Sequence, residues 1–153
     1  MRIADFLDRR SIEANLGASN KPGVLRELVG LTLRVNPDLD PNQLVDALLR
    51  REKLQSTGIG DGIAIPHGKT DGVTDIVGCL GRSREGVDYQ SLDGQPTHLF
   101  FTLLVPANQH GLHLKALARI SRLFKDAGVR EALLAAEDAE AMYRVITEED
   151  DRL

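Results

Sequence analysis

Apolar positions along the chain change period several times, and each change predicts a new element. Residues 11–16 (Ser-Ile-Glu-Ala-Asn-Leu) alternate and predict a strand. Val24, Leu25, Leu28, Val29 and Leu33 then recur at helical spacing behind Asn20, a residue type that caps helix N-termini, and Asn36-Pro37 predicts the end of that helix. Asp40, with Pro41 next and Gln43 three residues on, has the capping-box pattern and opens a second helix carrying Leu44, Leu48 and Arg51. Arg51 is thereby placed at a helix C-terminus.

Residues 56–68 read STGIGDGIAIPHG, four glycines in thirteen residues with no helical period. They predict a tight, backbone-rich loop with one short strand at 63–65. Residues 75–80 and 98–105 predict strands, the second almost wholly apolar and therefore central, with Pro106 as its stop. Helices follow at about 110–125, 129–135 and 138–146. Strand, two helices, several strands and three helices together fit an α/β fold, a three-layer α/β/α sandwich with a central mixed β-sheet.

The chain's 153 residues, 42% hydrophobic and 27% charged, suit one globular core and argue against disorder or a disulfide scaffold. One domain over residues 1–153 is expected, with the acidic end at 148–153 solvated and frayed. Nineteen basic against 23 acidic residues, a net charge of −4, give no footprint for nucleic acid. A lone Cys79, an amino-terminal stretch unlike a signal peptide and no long apolar run lead to the expectation of a soluble cytoplasmic protein.

Residues 62–70 (GIAIPHGKT) end like a phosphate-binding Walker loop, but five residues separate the glycines where that motif has four, and Pro66 removes a backbone donor. No dinucleotide glycine pattern fits either. His67 is more telling: a proline fixes the backbone before it and a glycine opens the approach after it. Histidine there can be a base, a metal ligand or a phosphoryl-accepting nucleophile, or merely the exposed residue of a turn. His113 heads the stripe His113, Leu117, Ile120, Phe124 in the first turn of its helix, where unpaired N–H groups and the dipole favour an anion. Alone it could equally be a core-edge histidine with one backbone bond. With Arg51 and His67 on other elements, a three-part anion site can form. A metal site at His98, His110 and His113 lacks any recognisable ligand spacing. A Ser56-Asp61-His67 hydrolase lacks its nucleophile turn, and Cys79 reads as a small core residue.

Residues 49–69, LRREKLQSTGIGDGIAIPHGK, closely resemble the signature of IIA components of the bacterial phosphotransferase system, fructose/mannitol class. The likeness extends through the start MRIADFL, the LLVP at 103–106 and His113-Leu114-Lys115; that start and the chain length are most similar to the nitrogen-regulatory branch. The resemblance implies that His67 accepts a phosphoryl group from a phosphorylated HPr-like carrier, that His113 is the second site histidine and Arg51 the neighbouring arginine. A hydroxyl from Ser56 or Thr57 is a further candidate. It implies no cofactor, ATP or metal, because the energy arrives as the donor's phosphohistidine. The regulatory branch implies contact with target proteins such as membrane transporters or sensors. The alternatives are a sugar-transport IIA passing phosphate to a IIB domain, and a non-catalytic interaction module. Pro22-Gly23 in the first helix turn and Gly111 before His113 depart from the family's pattern outside the signature.

Overall fold

The computed structural model describes residues 1–109 and 111–153. After a 3₁₀ turn at Ile3–Asp5, the order is β1 (Leu7–Glu13), α1 (Lys21–Leu33), α2 (Pro41–Glu52), β2 (Gly58–Gly60), β3 (Ile63–Ala64), β4 (His67–Thr70), β5 (Val77–Val87), β6 (Thr97–Pro106), α3 (Leu112–Phe124), α4 (Ala127–Ala135) and α5 (Ala139–Asp150). The sheet runs β1-β5-β6-β3-β2, with β4 also paired to β6. It is mixed: β1 is parallel to β5, β5 antiparallel to β6, and β3 and β4 are both parallel to β6.

Strand β6 is central because both of its faces are apolar. Leu99, Phe101 and Leu103 point into a core shared with Ile120 of α3, Leu133 of α4 and Ile146 of α5. Phe100 and Leu104 point the other way, onto Leu25 and Leu28 of α1 and Leu44 and Leu48 of α2. A period of two in the strand thus divides the helices into two layers, as expected of an α/β/α sandwich.

Asn20 caps α1 by accepting from the Gly23 N–H (2.9 Å). Asp40 caps α2, but through the Asn42 N–H (3.0 Å) rather than that of Gln43. The first strand lies earlier than its alternation predicts, because it pairs with β5 from Leu7 across an irregularity that leaves Arg9 and Arg10 exposed. Its pairing trails on to Leu16, whose N–H donates to the Arg82 carbonyl. Strand β5 runs seven residues beyond the predicted end at Leu80, through the polar Arg82-Ser83-Arg84-Glu85 stretch, since its partner β6 continues alongside. Pro106 is the last residue of β6. The third helix begins at Leu112; the expected start at His110 lies outside the described residues.

The acidic end is not a frayed tail through Asp150. Helix α5 reaches that residue, which is 2% exposed and accepts from the Ile3 N–H (2.7 Å) and Arg119 Nε (2.5 Å). Arg2 pairs with Asp151. A carboxylate in a charge run can therefore tie the two chain ends together. Among the described residues no helix is long and apolar enough to cross a membrane.

Candidate functional site

The glycine-rich stretch holds three short strands where the sequence predicts a loop with one. Strands β2 and β3 form a hairpin whose two loop residues, Asp61 (φ 57°) and Gly62 (φ 76°), both lie in the left-handed region. That is the Asp-Gly signal of a type I′ turn. The Gly62 carbonyl accepts from the N–H groups of His98 and Leu99, and the Pro66 carbonyl from Leu103, so the chain is sewn onto β6 on both sides of Pro66. It re-enters the sheet as β4, with His67 opposite Leu103.

Gly68 sets the distance between β4 and α2. A Cβ there would lie 2.9 Å from the Ala47 carbonyl oxygen, closer than real packing allows, so the helix rests directly on the strand backbone. Arg51 follows Ala47 by four residues, one turn along the same helix face. The glycine expected to keep the approach to His67 open thus acts by seating α2. Helix α3 comes from the other layer, and His113 is its second residue.

Arg51, His67 and His113 line one cavity of about 380 Å³ where the end of α2 and the start of α3 meet around β4. All three residues picked out in the sequence are brought together. Arg50, Leu54 and Lys69 share the lining and were missed. Lys69 had a signal, since two residues along a strand share a face with His67. Leu54 is 81% exposed, an apolar side chain at the cavity's rim.

His67 is half-buried, and its Nδ1 lies 2.8 Å from the Ile65 carbonyl oxygen. A carbonyl only accepts, so Nδ1 carries the proton and Nε2 keeps its lone pair. Burial pushes the imidazole's pKa below its ordinary 6.5; the Ile65 bond opposes this, and the charges of Arg51 and His113 add to it. The ring is therefore neutral and nucleophilic at physiological pH. One Arg51 N–H group donates to the Gln55 carbonyl (Nη1, 2.8 Å), fixing the guanidinium. A fixed guanidinium, a helix N-terminus with its histidine and a neutral imidazole suit a dianionic group arriving at Nε2.

Ser56 and Thr57 do not join them. The Ser56 hydroxyl faces the Tyr89 carbonyl and accepts from the Gly58 N–H. The buried Thr57 hydroxyl donates to Glu52 (2.5 Å). Loop closure under the hairpin, which no spacing rule announces, commits both. His98 bonds the Ser83 carbonyl near the start of β6, apart from His113. Cys79 is buried with its thiol on the Leu28 carbonyl, and burial pushes its pKa up to about 12, so it is a core residue. Among the described residues no cluster of three metal-ligating side chains occurs.

The family model for "Phosphoenolpyruvate-dependent sugar phosphotransferase system, EIIA 2" matches residues 5–149. The chain belongs to this family and is a phosphotransfer component of the IIA type. Among its relatives, a nitrogen regulatory protein of Bradyrhizobium diazoefficiens is 38% identical over 146 residues, 95% of each chain. The fructose-specific EIIABC component of Bacillus subtilis is 39% identical over 150 residues, which is 98% of this chain but 24% of that protein's length. In three dimensions it resembles the nitrogen regulatory protein IIA-Ntr from Neisseria meningitidis with a TM-score of 0.87 at 35% identity, covering 95% of this chain and 99% of that one. The mannitol IIA of Escherichia coli shares the fold, with a TM-score of 0.76 at 22% identity over 91% of this chain and 97% of that one.

Proposed function

We propose that this phosphoryl carrier accepts its phosphoryl group on Nε2 of His67, from the phosphohistidine of an HPr-like protein, and serves nitrogen-type regulation. The observation that carries the reading is the 2.8 Å bond between Nδ1 and the Ile65 carbonyl, within a cavity also lined by Arg51 and His113. It leaves Nε2 as the nitrogen with a free electron pair.

In the transfer, that pair forms the new N–P bond as the donor's N–P bond breaks, and the donor imidazole keeps the electrons of the old bond. The Nδ1 proton stays on His67, where the Ile65 carbonyl stabilises the positive charge that develops on the ring. Arg51 and the start of α3 with His113 balance the charge on the three phosphoryl oxygens. Phosphoryl transfer depends mainly on such positioning and charge balance. The apolar rim at Leu54 gives a carrier protein a place to dock.

The regulatory assignment is supported by the 0.87 TM-score and 35% identity with IIA-Ntr. A second reading, a sugar-transport IIA that hands phosphate to a IIB domain, is favoured by the 39% identity with the fructose component. Both use the same chemistry at His67 and act in the cytoplasm. Intact-mass analysis under alkaline conditions, with phosphorylated HPr-type donor, tests the carrier step. A gain of one phosphoryl group that vanishes in His67→Ala is expected; no gain in the wild type, or an undiminished gain in the variant, would contradict it.

A further inference from the structure

Directly after Arg51 in the sequence comes a buried acid that the transfer chemistry just described leaves unused. Glu52 is 9% exposed, at the last position of α2. Its carboxylate accepts from the Thr57 N–H (2.9 Å) and the Thr57 hydroxyl (2.5 Å), and it pairs with Lys21 Nζ at 3.1 Å. Lys21 lies over the Tyr89 ring, 4.7 Å from its centroid, and the Tyr89 hydroxyl is 3.1 Å from that of Thr57. Three side chains, Lys21 of α1, Thr57 just before β2 and Tyr89 just after β5, thus gather around one carboxylate of α2. A buried charge is costly unless it is paired and hydrogen-bonded, and this one is both.

The arrangement bears on the cavity through a short covalent path. Residues 53–57 leave the end of α2 as a turn, and Glu52 closes that turn by holding Thr57. Inside it is Gln55, whose carbonyl holds Arg51 Nη1 at 2.8 Å. The orientation of the guanidinium is therefore fixed at one remove by the Glu52–Thr57 bonds. Glu52 also acts through space: its charge raises the proton affinity of His67, opposing Arg51 and His113.

We propose that Glu52 is a positioning residue for phosphoryl transfer, holding the 53–57 turn through Thr57 so that the Gln55 carbonyl aims Arg51 into the cavity that His67 lines. The proposal rests on the carrier reading above. Glu52→Gln keeps an acceptor for Thr57 and removes the charge; Glu52→Leu removes both. With a phosphorylated HPr-type donor, rapid-quench transfer rates are expected to fall about tenfold in Glu52→Leu and by less than about threefold in Glu52→Gln, against about a hundredfold when a charge-stabilising donor such as Arg51 is itself removed. The NMR titration midpoint of His67 is expected to move down in both variants, because both lose the charge, and thermal melts record whether each is folded. A disordered turn also releases Arg51 from Gln55, so its Nε–H signal is expected to shift in Glu52→Leu and not in Glu52→Gln. Equal rates in Glu52→Leu and wild type, or an unmoved Arg51 signal in that variant, would overturn the proposal. If the wild type takes up no phosphoryl group, the carrier reading fails, while the Arg51 signal and the His67 midpoint still decide whether Glu52 positions the one and acts on the other.

Discussion

Arg82 and Glu52 are charged side chains buried on opposite faces of the sheet, and their hydrogen bonds run to different ends. On the α3–α5 face, Arg82 is 1% exposed and donates to backbone carbonyls: Ala14 (Nε, 3.0 Å), Leu133 (Nη1, 2.8 Å) and Ala136 (Nη1, 2.7 Å). On the α1–α2 face, Glu52 is met by side chains and a turn that lead to Arg51. Arg82 closes the C-terminal end of α4, whose last carbonyls have no helical partner, and binds it to the segment after β1. Its bonds end in structure; those of Glu52 end at the cavity. Burial of a charge by itself therefore says little about function, and what lies at the far end of its hydrogen bonds says more.

The largest effect expected on the Arg82 side is on stability alone. Arg82→Leu leaves three buried carbonyls without their charged donor and should cost about 3 kcal/mol, read from the denaturant midpoint. The folded fraction should still accept phosphoryl groups at the wild-type rate. A large loss of transfer per folded molecule would break the contrast.

Arg51→Ala is the mirror case: a transfer rate lower by about a hundredfold, or about 2.7 kcal/mol, with unfolding changed by less than about 0.5 kcal/mol. An unchanged rate would remove Arg51 from the site. Between them lies Gly68→Ala, which forces α2 away from β4. Overpacking against a backbone carbonyl should cost about 2 kcal/mol of stability and slow transfer as well, because Arg51 moves with the helix. Stability lost without any change in rate would show that the seating of α2 does not set the position of Arg51.

The smallest effect is that of pH. His67 is held neutral, with its pKa below 6.5 in the folded protein. As pH falls below about 6.5 the unfolded chain takes up a proton first, so this group's contribution to stability is intact above that pH and is lost on descending towards the folded value. Transfer into His67 should be level across neutral pH and fall only in acid. A fall beginning at or above 6.5 would show that burial does not dominate the imidazole's environment.

Much of this was legible in the sequence, for identifiable reasons. The almost wholly apolar run of β6 and the caps at Asn20 and Asp40 are local signals, and the structure follows them. Arg51 and His113 were placed at helix ends by spacing alone. What could not be read depends on contacts across the chain. Arg82 sits in a polar stretch that looks like a loop until β6 pairs with it. Asp150 is held by Ile3 and Arg119, far away in sequence, so a charge run expected to fray becomes a clasp. Thr57 was a candidate for the site until the turn after α2 closed it onto Glu52. Leu54, beyond the end of α2, comes to the cavity beside His67 because Gly68 lets α2 lie against β4.

The most direct test of the central claim is long-range nitrogen–phosphorus NMR on the phosphorylated, nitrogen-labelled protein. The geometry predicts a phosphorus coupled to Nε2 of His67 and a proton retained on Nδ1. Phosphorus on Nδ1 of His67, or on another residue, would contradict it.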